Sequence, residues 1–252
     1  MNSTCLLTTV CLVVSAAAAG AQTPASARPA PPRGFLSVGV GYQATANDFR
    51  DSTTFPLNAE TANLGTDYAV SAGPTFDVAG GAAIWRNLAV SVGVTRYSTD
   101  TDANLSASLP HPFFFNQNRT INETVTGLSR SELAIHLQAR GLLPVRPNVL
   151  VMLFGGPSFF NVKQDAVTDI TYADVFPYDE VTFQAPVATD ASERTTGFNV
   201  GADVSVFFSR QVGVGFGAMF ARASVDLPGL RGGTVTVDAG GLQAGGGLRL
   251  RF

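Results

Sequence analysis

The chain has 252 residues, of which 45% are hydrophobic and only 14% charged, with a formal net charge of -3. This is the composition of a folded protein, yet charge is sparse for a soluble surface. With no net positive charge and no run of Lys and Arg, nothing favours nucleic-acid binding.

Cys5 to Ala19 is an apolar run broken only by Thr8, Thr9 and Ser15, and Ala19-Gly20-Ala21 follows as a small-x-small cleavage pattern. Residues 1–21 therefore read as a signal peptide for Sec-type export, although no Lys or Arg stands between residues 2 and 10. Both cysteines, Cys5 and Cys11, lie inside that segment, so its removal leaves no thiol for a disulfide or a thiolate metal site. Residues 22–33, with Pro24, Pro29, Pro31 and Pro32, read as an extended periplasmic linker. No later stretch offers the roughly 18 consecutive apolar residues of a spanning helix, so residues 34–252 can cross a membrane only as a closed barrel.

Eight segments alternate with the period of two that marks a strand. Phe35 to Ala44 sets Leu36, Val38, Val40 and Tyr42 against Ser37, Gly39, Gly41 and Gln43. Tyr68 to Ile84 sets Val70, Ala72, Pro74, Phe76 and Val78 against Ser71, Gly73, Thr75 and Asp77, and the third segment sets Leu88, Val90, Val92 and Val94 against Ala89, Ser91, Gly93 and Thr95. In Glu132 to Leu143, Leu133, Ile135 and Leu137 oppose Glu132, His136, Gln138 and Arg140. Val149 to Val162 is more continuously apolar, which leaves its phase open. Phe198 to Phe208 and Val212 to Ala221 follow, the latter with Gly213, Gly215 and Gly217 on one face; no helix follows them, so they are not a phosphate loop.

The eighth segment, Thr234 to Phe252, puts Leu242, Leu248, Leu250 and Phe252 opposite Gly241, Gln243, Gly245, Gly247, Arg249 and Arg251. A polar, glycine-rich parity facing an apolar one is the pattern of a crowded lumen surrounded by lipid. Connections near residues 85, 146 and 210 are short; those at 45–66, 99–127 and 164–195 are long and read as outside loops. The expected fold is all-β, an eight-stranded antiparallel up-and-down transmembrane β-barrel whose last strand pairs with its first.

These segments, the loop asymmetry and the terminal Gly-Leu-Arg-Leu-Arg-Phe resemble the small bacterial outer-membrane β-barrels typified by the OmpA transmembrane domain. The resemblance covers about residues 34–252. It implies a Gram-negative outer-membrane location, contact with outer-membrane lipid and lipopolysaccharide, and recognition of Leu248, Leu250 and Phe252 by the barrel-assembly machinery during biogenesis. The partner at the cell surface is unknown.

The inward parity predicts a lumen network of Asp77, Glu132, His136, Gln138, Arg140, Asn199, Asp203, Arg249 and Arg251. On one face of a strand Glu132 and His136 stand roughly 13 Å apart, too far for a shared metal or a direct hydrogen bond. No Ser, His and acid gather on the outward rim, and no catalytic residue, metal site or cofactor is expected. Pro110-His111-Pro112-Phe113-Phe114-Phe115 is an aromatic cluster without strand alternation; packing across the barrel mouth is the favoured expectation, and docking of a partner or lipid is the alternative. The seven acids between residues 164 and 193, with no Lys or Arg, are expected to form a solvated acidic loop, with β-formers for a hairpin at Val167 to Phe183. The reading is a non-enzymatic protein with a structural or surface-interaction role; the alternative is a narrow porin-like channel for ions or small solutes through the lumen network.

Overall fold

The computed structural model describes residues 33–44 and 48–252. The expected signal peptide (residues 1–21) and linker (residues 22–33) lie outside these, except Arg33, whose carbonyl accepts a hydrogen bond from the Ala83 amide. The described residues form ten strands: β1 Gly34–Gln43, β2 Phe49–Leu57, β3 Glu60–Val70, β4 Gly73–Trp85, β5 Leu88–Pro110, β6 Asn118–Arg146, β7 Val149–Val175, β8 Glu180–Phe207, β9 Val212–Pro228 and β10 Thr234–Arg251.

Eight of them close a ring in the order β5-β4-β1-β10-β9-β8-β7-β6, with β5 pairing back to β6. All its pairings are antiparallel, so this is the expected eight-stranded up-and-down barrel. The seam joins first strand to last, from Phe35 opposite Arg251 to Gln43 opposite Gln243, and two bonds between Gly34 and Phe252 extend it. At one end the strands are joined by short turns near residues 86, 147 and 209; this is the turn end. At the other they run on as long hairpins.

Where described, the long connections are therefore mostly strands, which corrects the reading of 45–66, 99–127 and 164–195 as loops, the hairpin expected at Val167 to Phe183 apart. β2 and β3 form a hairpin, and β3 takes over from β4 along β5: β4 pairs from Leu88 up to Tyr97, and β3 from Thr101 up to Ser108. Tyr68 to Ile84 is thus two strands, and the break at Ser71-Ala72 flips the phase. Val70 is buried inward, whereas Pro74 and Phe76 face out. On the neighbouring edge, four residues of β6 (Val125 to Leu128) span three of β5 (Thr101 to Ala103), with Gly127 at φ +76°. This is a bulge whose extra residue needs glycine's freedom.

What sets the hairpin end apart is an inversion of polarity along unbroken strands. On β5 the outward residues are Leu88, Val90, Val92 and Val94, then Arg96, Ser98, Asp100, Asp102, Asn104 and Ser106. The inward ones run from Ala89, Ser91, Gly93 and Thr95 to Ala103, Leu105, Ala107 and Leu109. Below the switch the barrel is apolar outside and polar inside, as lipid demands; above it a water-facing lobe has an apolar core. Aromatics flank the apolar belt: Trp85, Phe208 and Phe252 are exposed at the turn end, and Tyr42, Phe76, Phe159 and Phe198 at the switch. Such girdles suit rings with both apolar and interfacial affinity.

The lobe core is built from Leu64, Tyr68, Leu105, Leu109, Ile121 and Val167, with Phe49 stacked on Tyr68 at 4.2 Å. The Tyr68 hydroxyl accepts the Val167 amide at 2.8 Å, and burial pushes its ionisation up to about 12. β7 also settles its phase here: Leu150, Met152, Phe160 and Val162 are buried inward, while Leu153 and Phe159 face out.

Val204 is exposed on the belt and its neighbour Asp203 is buried in the lumen. Val204→Arg is expected to cost about 2–4 kcal/mol and to lower the yield of heat-modifiable folded barrel in lipid far more than Asp203→Asn. Equal yields would refute this register.

Candidate functional site

The polar lumen is an ordered stack. Nearest the turn end, Asp203 of β8 accepts both Nη2 (2.6 Å) and Nε (3.1 Å) of Arg249 from β10, and Ser205 donates to its second oxygen at 2.5 Å. Arg140 of β6 donates through Nε to Ser91 Oγ and through Nη2 to Gln138 Oε1, both at 2.7 Å. Its guanidinium lies between two rings, 4.9 Å from Phe35 and 4.7 Å from Phe154. That sandwich replaces a carboxylate partner with two ring faces.

Higher up, Gln138 Nε2 donates to Asn199 Oδ1 at 2.9 Å, and Asn199 Nδ2 donates to Ser158 Oγ at 2.8 Å. Ser158 also contacts His136 Nδ1 at 2.7 Å, while His136 Nε2 meets Thr95 Oγ1 at 3.2 Å. The chain Arg140, Gln138, Asn199, Ser158, His136, Thr95 is continuous across four strands, β5 to β8, and such satisfied networks rigidify a buried layer. A cavity of about 90 Å³ lies beside it, lined by Asp77, Arg140, Asp203 and Arg249 among others. It has room for several waters.

Glycines make that room. A Cβ on Gly39 would stand 2.5 Å from the Asp77 carboxylate, and one on Gly247 would stand 2.1 Å from the Val38 carbonyl. Between the large residues Phe35, Gln43, Gln243 and Arg249 the seam side of the lumen is thus smooth backbone, and most other bulky side chains come from β6 and β7.

At the level of the polarity switch, Arg130 is fully buried and donates through Nη2 (2.7 Å) and Nε (3.0 Å) to one oxygen of Glu132. The other oxygen of Glu132 accepts the Gly240 amide at 2.8 Å, and Gln43 donates to the Gly240 carbonyl at 2.9 Å. Glu132 and His136 therefore work in separate groups, as their spacing on a strand required.

Both ends of the polar stack are capped by apolar layers. Toward the turn end lie Phe35, Ala89, Leu142, Leu150, Met152 and Phe207. Toward the hairpin end lie Ala134, Phe160, Val162 and Ala221, continuing into Val225, Leu227, Val235 and Val237.

Eight of the nine expected lumen residues line this stack or its cavity. Arg251 does not: it sits on the rim, its Nε donating to the Arg210 carbonyl at 2.9 Å and its guanidinium 3.9 Å over Phe207, because the last residue of a strand lies beyond the lumen. Arg130, Gln43 and Ser158 were missed as network members. Arg130 shares the parity of Glu132 two residues before the expected strand began. Ser158 lay on the strand whose phase was open. Of the three terminal residues, Leu248 and Phe252 are exposed on the outer face and Leu250 is half-buried.

Glu132→Ala would leave Arg130 as a buried unpaired charge, at a cost of about 3–5 kcal/mol. Arg130→Met with Glu132→Leu should restore most of the loss in urea unfolding from detergent micelles. A double variant no more stable than Glu132→Ala would remove the pair from this role.

No curated protein matches the chain. Solved structures similar to it include the outer membrane protein OprG from Pseudomonas aeruginosa, at 7% identity over 88% of this chain and 97% of that one with a TM-score of 0.48. Neisserial surface protein A is 12% identical over 89% and 99%, with a TM-score of 0.47. The outer membrane protease OmpT from Escherichia coli is 7% identical over 89% and 98%, also at 0.47. A family model described as the outer membrane protein beta-barrel domain matches residues 9–250, and with its closed ring, apolar belt and filled lumen the chain belongs to that family.

Proposed function

We propose that this outer-membrane barrel is a closed, non-enzymatic anchor that holds a rigid lobe at the cell surface for interaction. The observation that carries this reading is the pair of apolar layers enclosing the polar stack. A hydrated solute would have to pass Phe35, Leu142, Leu150 and Phe207 at one end and Phe160, Val162, Val235 and Val237 at the other. These side chains offer nothing polar in exchange for its water, and the Arg130 and Glu132 pair beside them is already bonded to itself and to the backbone, which disfavours the porin-like alternative.

The same enclosure argues against catalysis at the His136 and Ser158 contact. Asn199 occupies the serine, no carboxylate contacts the imidazole among the described residues, and apolar layers stand on either side of this one. The short turns then face the periplasm and the lobe faces outward, following the usual asymmetry of such barrels. The exposed Leu248 and Phe252 at the seam suit recognition by the assembly machinery, and the belt suits outer-membrane lipid with lipopolysaccharide around the lobe.

In planar bilayers the protein is expected to give no unitary conductance. Reproducible steps that disappear when Arg140 or Asp203 is changed would establish the channel and overturn the closed anchor.

A further inference from the structure

The far end of the lobe brings together three hairpin tips: Asn58-Ala59 between β2 and β3, residues 111–117 between β5 and β6, and residues 176–179 between β7 and β8. Contrary to expectation, the aromatic cluster there does not pack across the barrel mouth. Phe113, Phe114, Phe115 and Phe176 are 68%, 56%, 71% and 81% exposed. Four phenylalanines held in water at one point of a folded surface mark a contact site.

They are held rigidly. The His111 ring is 3% exposed, and its Nδ1 accepts the amides of both Phe113 and Phe114 at 3.1 Å. Arg119 binds Asp174 at 2.6 Å, the Tyr178 carbonyl at 3.3 Å and the Pro110 carbonyl at 3.2 Å, which locks two tips together. Asn58 donates to Pro110 at 3.0 Å, and Glu60 accepts the Asn116 amide at 2.9 Å, which joins the third. Phe113 meets Tyr178 edge-on at 5.3 Å and Tyr178 meets Phe176 at 5.8 Å, so the rings form a row across the tips. Ordering the contact groups before a partner arrives lowers the entropy cost of binding.

The charge around the row has one sign. The tips hold Glu60, Asp174, Asp179 and Glu180 against the single Arg119, which is buried and already paired to Asp174. One oxygen of Glu60 and His111 Nε2 are buried without a hydrogen-bond partner among the described residues, and that imidazole nitrogen lies 3.6 Å from Asp179. Acids beside open ring faces attract ammonium and guanidinium groups carried on apolar stems, and repel anionic surfaces.

We infer that this tip is a docking surface for a basic amphipathic protein segment, one that sets aliphatic side chains on Phe114 and Phe176 and Lys or Arg against Asp179 and Glu180. The inference rests on the closed-anchor reading of the barrel. The test uses the full protein in nanodiscs, a helical peptide of Lys and Leu, its Glu and Leu counterpart, and vesicles of phosphatidylcholine or phosphatidylglycerol. The Lys/Leu peptide should bind saturably and more weakly as salt rises. Phe176→Ser with Phe114→Ser, and separately Glu180→Lys, should each weaken it by about tenfold or more in barrels that remain heat-modifiable. The Glu/Leu peptide and both vesicles should not bind. Lys/Leu binding unchanged by these substitutions, or no such binding with or without vesicle capture, overturns the inference. Conductance recorded on the same preparations reads the anchor separately, since a conducting barrel would refute that reading whatever the peptide does.

Discussion

In hydrocarbon a backbone amide has no water to turn to, so every strand edge in the belt must find another strand. The pairing of β1 with β10 is where this chain meets that requirement, and the rest of the molecule follows from it. Closing a ring of only eight strands leaves an interior just wide enough for side chains. What lines it must therefore pack as a core packs, with each polar group satisfied by a neighbour. The glycines of β1 and β10 and the large residues of β6 and β7 divide that space between them, and the Arg140 sandwich and the Asp203 and Arg249 pair are what remains when charge is enclosed at this density.

A filled lumen moves function to the ends. The turn end has little material: three short turns and a rim tied by Arg251. The hairpin end has nearly half of the long strands, arranged as a soluble protein would be, with Leu, Ile, Val and Phe inward and Ser, Thr, Asn and Asp outward. Its acids are less free than their run in the sequence implies. Asp174 is held by Arg119 and Asp169 by Arg231, and Asp165 accepts the Ser129 amide. Those cations come from distant hairpins, so a local reading of residues 164–193 could not pair them.

The belt was legible because lipid imposes one rule on every strand: Leu133, Ile135 and Leu137 out, His136, Gln138 and Arg140 in. The lobe was not, because above the switch the same alternation carries the opposite meaning and weaker contrast. Ala103, Leu105 and Ala107 are core, although by the rule of the belt they occupy the lumen parity. The break at Ser71-Ala72 and the bulge at Gly127 each shift phase by one residue, which disguises β3 and the upper part of β6 as irregular chain. Only the hairpin at Val167 to Phe183 had enough β-formers to stand out. At the site, the lumen residues followed from parity, but their partners depend on register between strands, which a single strand's pattern does not contain.

The switch itself has a mechanical meaning. On β5 the outward face changes from Val94 to Arg96 in a single step, so displacement along the bilayer normal by even one residue pair would carry charge into hydrocarbon or valine into water. The barrel is thereby its own depth gauge. From Arg96 the same strand runs without a break to Pro110, roughly 45 Å of chain at about 3.3 Å per residue. The aromatic row is consequently carried at a set standoff from the lipid surface, by a mast whose height is written into where its outer face turns polar.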